Sequence, residues 1–114
     1  MAPLILLKDG QPELAIGGAG GRTILSNVFQ VLARCLDLGE RVDAALAAPR
    51  FHVETAEPVH LEAAAGLAEA LQDLGHRVKI RQPFGGLQAI QFGRGVGGLK
   101  AAADHRRAGT VEYV

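Results

Sequence analysis

Apolar and polar positions alternate and recur along this chain in patterns that predict most of its elements. Leu4-Ile5-Leu6-Leu7-Lys8 is a short apolar run and predicts a strand. Asp9-Gly10 follows as a hairpin turn signal, and Glu13-Leu14-Ala15-Ile16 returns, so residues 4–17 predict a β-hairpin. From Arg22 to Leu38 the residues Ile24, Leu25, Val28, Phe29, Val31, Leu32, Cys35 and Leu36 recur at helical spacing, with Gly39 as the stop. Val42 to Ala48 predicts a short second helix, ended by Pro49.

Phe51-His52-Val53-Glu54 and Val59-His60-Leu61-Glu62 alternate apolar with polar, as half-exposed strands do. Ala63 to Leu74 predicts a helix with Leu67, Leu71 and Leu74 on one side and Gly75 past its end. His76 to Ile80 alternates as a strand, and Gln82 to Gly86 is a loop. Leu87 to Phe92 is another strand, Gly93 to Gly98 a turn, Leu99 to Ala103 a last strand, and Asp104 to Val114 an irregular tail. The predicted order is β-β-α-α-β-β-α-β-β-β. Paired strands followed by helices favour a layered α/β (α+β) domain with mostly antiparallel sheet over a doubly wound parallel one. No internal repeat, linker or low-complexity tract interrupts it.

Composition narrows the picture. A chain of 114 residues fits one domain or a piece of one. Apolar residues make up 48% but aromatic ones only 4%, so the core is expected to be built from Leu, Val, Ile and Ala. Lys and Arg total 12 and so do Asp and Glu, which argues against a nucleic-acid or anionic-membrane partner. The single cysteine, Cys35, excludes an internal disulfide, and its place on the apolar helix face predicts a buried structural thiol. No apolar run reaches the ~18 residues of a membrane span. Met1 to Leu7 lacks a basic leader and reads as a strand begun without lead-in, so the expectation is that sequence has been lost upstream.

The chemistry concentrates at Gly17-Gly18-Ala19-Gly20-Gly21, where a strand runs through four glycines into a long helix. Such a loop suits an anion or oxyanion, because backbone N–H groups gather unpaired at a helix start. It lacks the dinucleotide spacing and the phosphate-loop lysine, so tight geometry alone is the competing reading. His52, His60, His76 and His105 are spread along the chain. His52 and His60 flank a turn and could meet across two strands, but no third ligand suggests a metal, and surface or turn positions are the default. Arg50 could face a carboxylate or simply close a helix. Asp104-His105-Arg106-Arg107 is a charged cluster expected to be solvated or tied to nearby carboxylates. Thr23 and Ser26 have no evident base beside them, so neither is supported as a nucleophile.

Seven stretches, in order, resemble the C-terminal part of γ-glutamyltranspeptidases, members of the N-terminal-nucleophile hydrolase superfamily. Met1-Ala2-Pro3-Leu4 resembles the family's Met-Ser-Pro-Thr, and Lys8-Asp9-Gly10-Gln11-Pro12 its Lys-Asp-Gly-Lys-Pro hairpin. Gly17 to Gly21 resembles its Gly-Ser-Pro-Gly-Gly loop, and Ala48-Pro49-Arg50-Phe51-His52 its Ala-Pro-Arg-Phe-His. Gly75-His76-Arg77-Val78, Gly85-Gly86-Leu87-Gln88-Ala89-Ile90 and Ala103-Asp104-His105-Arg106 complete the set.

The resemblance implies a four-layered αββα fold of which residues 1–114 form a single partial domain. It implies transfer of a γ-glutamyl group from a small glutathione-like donor to water or an amino acid, without cofactor or metal. In the family a precursor cleaves itself to expose a threonine, whose α-amino group serves as base. Two adjacent glycine N–H groups hold the oxyanion, and these map onto Gly20 and Gly21, which also become the substrate-binding positions. The nucleophilic threonine and the donor-binding serines lie before Met1, so this chain alone is expected to be inactive. Ala19 and His105 replace prolines of the family pattern. The implied partner is the missing upstream part or a second copy, through the 4–17 hairpin and the 22–38 helix, since the sheet would otherwise keep a free edge. Two alternatives stay open: a non-catalytic assembly domain on the same fold, and a segment of a glutaryl-type amide acylase. Compartment is open too, cytoplasmic or exported.

Overall fold

The computed structural model describes residues 1–62, 66–81, 84–93 and 98–113. Its element order is β1 (Leu4–Lys8), β2 (Gln11–Ala19), a 3-10 turn (Gly21–Thr23), α1 (Ile24–Leu36), α2 (Val42–Ala47), β3 (Phe51–His52), β4 (Val59–Leu61), α3 (Leu67–Asp73), β5 (Val78–Ile80), β6 (Gly86–Phe92) and β7 (Leu99–Ala103). The predicted order of strands and helices holds. Expectations for residues 63–65, 82–83 and 94–97 lie outside the described residues.

The strands form two sheets. The larger is antiparallel throughout, in the order β1-β2-β6-β7, and the smaller has the order β3-β4-β5. In the smaller sheet β3 pairs β4 antiparallel, while β4 pairs β5 in parallel. The first hairpin turns at Asp9 and Gly10, both at positive φ, as the Asp-Gly signal requires. Ala15 then stands opposite Ile5 on one side and Ile90 on the other. This register sends Leu14 and Ile16 to one face of the sheet and Ala15 and Gly17 to the other.

The first two helices, α1 and α2, cover the first of these faces. Ile24, Val28 and Val31 of α1 and Val42, Ala45 and Leu46 of α2 pack on Leu14, Ile16, Leu87, Ala89 and Ala102. The core is aliphatic, as the composition requires. Of the apolar positions predicted on α1, Leu25, Phe29 and Leu36 are exposed instead. They form a second apolar stripe that this chain does not bury. Cys35 is half-buried at the core margin, short of full burial, and desolvation followed by the Glu40 charge raises its thiol pKa. The stripe of α3 stays outside the core as well, with Leu67 and Leu74 exposed.

The opposite face of the large sheet presents Ile5, Ala15, Ile90 and Ala101 in a groove of about 540 Å³, edged by Thr110 to Glu112. No helix among the described residues is long and apolar enough to cross a membrane.

α1 begins two residues later than predicted. Gly20 (φ 155°) and Gly21 (φ +59°) break the strand, a 3-10 turn follows, and the α-helix starts at Ile24. Thr23 fastens this entry by donating its hydroxyl and its N–H to the Gly20 carbonyl, at 2.9 and 3.3 Å. α2 stops because Ala48 precedes Pro49 and takes an extended backbone.

Candidate active site

The glycine loop combines two kinds of glycine. Gly18 and Gly20 are small because neighbours crowd them. A Cβ at Gly18 would meet the Gly86 carbonyl and the Leu87 side chain, and one at Gly20 would lie 3.2 Å from Gly85 Cα. Gly21 has nothing within 4 Å of a would-be Cβ and is glycine for its left-handed φ alone. It is exposed, at the first position of the turn that feeds α1. The first N–H groups of a helix have no partner inside it, so this end offers donors to an approaching anion. Tight packing and an open, exposed glycine thus coexist within five residues.

Behind the loop lies a strut that sequence reasoning missed. Gly85 (φ +46°) fits against Ala19 and Gly20, where any side chain would collide with the Ala19 carbonyl. Phe84, 1% exposed, fixes Gly85. Its N–H donates to Glu62 Oε1 at 2.8 Å, and its carbonyl accepts from Asn27 Nδ2 and Arg50 Nη1.

Glu62 belongs to a buried four-charge network with Arg50, Asp104 and Arg106. Arg50 Nη2 lies 2.6 Å from Asp104 Oδ2, and Arg106 Nη1 lies 3.0 Å from Asp104 Oδ1. Arg106 also grips Glu62 through Nε at 2.8 Å and donates to the Leu46 and Ala48 carbonyls that end α2. Burial raises both carboxyl pKa values, but their N–H and guanidinium donors outweigh it. For Glu62 the Arg106 side chain leads, and for Asp104 the Arg106 backbone N–H leads, so both end below the usual carboxylate range. The tail cluster is therefore tied to carboxylates rather than solvated, and Arg50 does face one.

The histidines divide. His52 is buried, against the surface or turn default, and stands opposite His60 across β3 and β4, so the two do meet. His76 is exposed on Glu57, and His105 is exposed beside Asp104. The expectation that Ser26 lacks a base is corrected, because His52 Nδ1 lies 2.9 Å from Ser26 Oγ. Ser26 also reaches the Thr23 carbonyl at 3.1 Å. The pair is satisfied when Ser26 donates to Thr23 and accepts from the His52 Nδ1–H. His52 Nε2 is then buried without a partner among the described residues. Among the described residues no third group orients the imidazole, and the pair clamps α1 to β3. Arg22 and Glu54, both exposed, form a 2.9 Å ion pair at the rim. Among the described residues no three His, Cys, Asp or Glu side chains are gathered to hold a metal.

The family model described as Gamma-glutamyltranspeptidase matches residues 1–114. The chain belongs to the γ-glutamyltranspeptidase family. It is 34% identical over 110 residues to the glutathione hydrolase proenzyme of Escherichia coli, covering 93% of this chain and 19% of that protein. This γ-glutamyltranspeptidase relative thus spans about a fifth of the length of the curated proteins it matches. Among solved structures it is similar to the T380A mutant of Helicobacter pylori γ-glutamyltranspeptidase, with TM-score 0.86 and 27% identity over 94% of this chain and 61% of that one. It is also similar to cephalosporin acylase from Bacillus halodurans, with TM-score 0.82 and 29% identity over 91% of this chain and 20% of that one. The α+β architecture with mostly antiparallel sheet is therefore part of the N-terminal-nucleophile hydrolase fold of the γ-glutamyltranspeptidases.

Proposed function

We propose that residues 1–114 are the C-terminal segment of the small subunit of a γ-glutamyltransferase or hydrolase, one part of a four-layered αββα domain. In this reading Gly20 and Gly21 donate their N–H groups to the oxyanion, and an upstream part supplies the threonine nucleophile. The observation that carries it is the Gly20-Gly21 turn, at positive φ and with open space before Gly21, in a chain matched by the family from end to end.

The chemistry follows from that placement. The threonine oxygen attacks the γ-carbonyl of a glutathione-like donor while its own α-amino group takes the proton. Charge moves onto the carbonyl oxygen, where fixed N–H donors stabilise the tetrahedral intermediate, each worth roughly 3–4 kcal/mol. The intermediate collapses as the leaving amine takes the proton, and water or an amino acid then attacks the γ-glutamyl ester. The chain lends donors that need no reorganisation, and its described residues hold no activated nucleophile.

The uncovered face of the large sheet and the stripe of Leu25, Phe29 and Leu36 supply the surfaces for the upstream part, with self-association as the other occupant. An acylase acting on a glutaryl-type amide is the second reading, favoured by the likeness to the Bacillus halodurans acylase. A non-catalytic assembly domain is the third.

The test is to read the coding frame upstream of Met1 and to assay its full product. A frame reaching an N-terminal-type threonine, with release of glutamate from γ-glutamyl donors, supports the first reading. A serine in that place, with cleavage of glutaryl amides, supports the second. A stop directly upstream, with no activity, supports the third.

A further inference from the structure

We propose that Thr23 is a positioning residue that sets the direction of the Gly21 N–H, an inference that rests on the oxyanion reading of the glycine loop. The peptide bond joining Gly20 to Gly21 is trans, so the Gly20 carbonyl and the Gly21 N–H point in opposite directions. Whatever fixes the oxygen therefore aims the N–H. Thr23 binds that oxygen twice, through Oγ1 at 2.9 Å and through its N–H at 3.3 Å. Both bonds draw the carbonyl toward the start of α1 and so turn the Gly21 N–H away from it.

The need for such a tie comes from the sequence itself. Two adjacent glycines carry no side chains to restrict their dihedrals, so the peptide between them is free to swing unless its surroundings hold it. Gly85 closes one side, with the Gly20 and Gly85 backbones too near for a Cβ on either. Thr23 closes the other. The threonine is 7% exposed, and Asn27 holds its hydroxyl in line by donating Nδ2 to Oγ1 at 3.4 Å and to the Phe84 carbonyl at 3.4 Å. Because Oγ1 accepts from Asn27, its own proton is directed to Gly20. Neither Thr23 nor Asn27 reaches a reacting atom, so their effect passes through the orientation of one backbone donor.

Thr23→Val removes the hydroxyl at nearly constant volume and spares the backbone bond, whereas Thr23→Ser keeps the hydroxyl. The experiment measures both variants in the full-length gene product. One readout is the ¹⁵N–¹H resonance of Gly21 in glycine-labelled protein, and the other is steady-state hydrolysis of γ-glutamyl-p-nitroanilide.

The expected result is a displaced Gly21 resonance in Thr23→Val, with kcat lowered about tenfold and KM kept within about twofold. Thr23→Ser returns both readouts to the wild-type values. An unmoved Gly21 resonance overturns the inference, as does an unchanged kcat in an active protein, and the latter leaves the oxyanion reading standing. A fall in kcat that tracks a fall in thermal stability and is not restored by serine overturns it too, because it marks Thr23 as merely structural. A wild-type protein with no γ-glutamyl activity removes the γ-glutamyl reading of the loop, and the resonance alone then decides whether Thr23 orients the peptide.

Discussion

Replacing Asp104 with alanine strikes the buried charge network at its centre. Asp104 is 1% exposed, and its Oδ2 lies 2.6 Å from Arg50 Nη2 and accepts from the Leu87 N–H at 3.0 Å. Its Oδ1 accepts from the Arg106 N–H at 3.1 Å and from Arg106 Nη1 at 3.0 Å. Alanine leaves the Arg50 guanidinium buried without its counter-charge, and breaking a buried pair in this way costs about 3–5 kcal/mol. The two orphaned N–H groups would add 1–3 kcal/mol each if they stayed dry, but water entering the vacated space offsets that, so about 4 kcal/mol is expected. Against a typical total of about 5–15 kcal/mol this is a large loss. With a urea m-value of about 2 kcal/mol/M, the unfolding midpoint followed by circular dichroism should fall by about 2 M. Asp104→Asn keeps the shape and one acceptor and should lose about half as much. A midpoint for Asp104→Ala within about 0.3 M of wild type would refute the reasoning, because the arginines would then have been solvated all along. Arg22→Ala, which breaks only the exposed pair with Glu54, should leave the midpoint unchanged.

Further outcomes follow from the same geometry. Glu62 and Asp104 have folded-state pKa values below their ordinary ones, so their stabilisation is complete above about pH 5 and is lost as pH falls through the folded values. Acid unfolding followed by circular dichroism should show that loss, and Glu62→Gln should flatten it. Gly18→Ala places a Cβ 2.5 Å from Leu87 Cδ2 and should cost about 1–3 kcal/mol in urea unfolding, while Gly17→Ala, whose nearest neighbour is Pro3 Cα at 3.6 Å, should cost nothing measurable. Cys35, half-buried with a raised pKa, should react with iodoacetamide at pH 8 more slowly than a free thiol.

How much of this was legible in the sequence depended on the range of the interaction. The first hairpin was, because alternation and the Asp9-Gly10 signal are local and agree with each other. The inward stripe of α1 was legible too, but not which of its two apolar stripes the chain would bury, since that depends on the surface it meets. His52 inverted the pattern: alternation placed Phe51 inside, yet Phe51 is 45% exposed and His52 8%. A two-residue strand is too short for its own periodicity to fix the face, and Ser26, 26 positions away, supplies what draws the ring inward. Glu62 was hidden for a related reason. The strand stops at Leu61, so the alternation that would have sent Glu62 outward no longer applies. Arg50, Glu62, Asp104 and Arg106 look like surface charges one at a time, and only the fold joins them. The Gly85–Gly20 contact had the same character, visible in sequence only as the Gly-Gly of the resembling motif.

The central claim is that the Gly20-Gly21 turn holds the oxyanion of a γ-glutamyl transfer. It is tested most directly by measuring kcat and KM for γ-glutamyl-p-nitroanilide hydrolysis by the full-length gene product and its Gly21→Val variant. A Cβ at this position meets nothing within 4 Å, and the effect of valine is conformational: a β-branched residue leaves φ +59° and carries the N–H away from its line. The account predicts that kcat falls by about 10²–10³ while KM changes little. A Gly21→Val protein with wild-type kcat would contradict it.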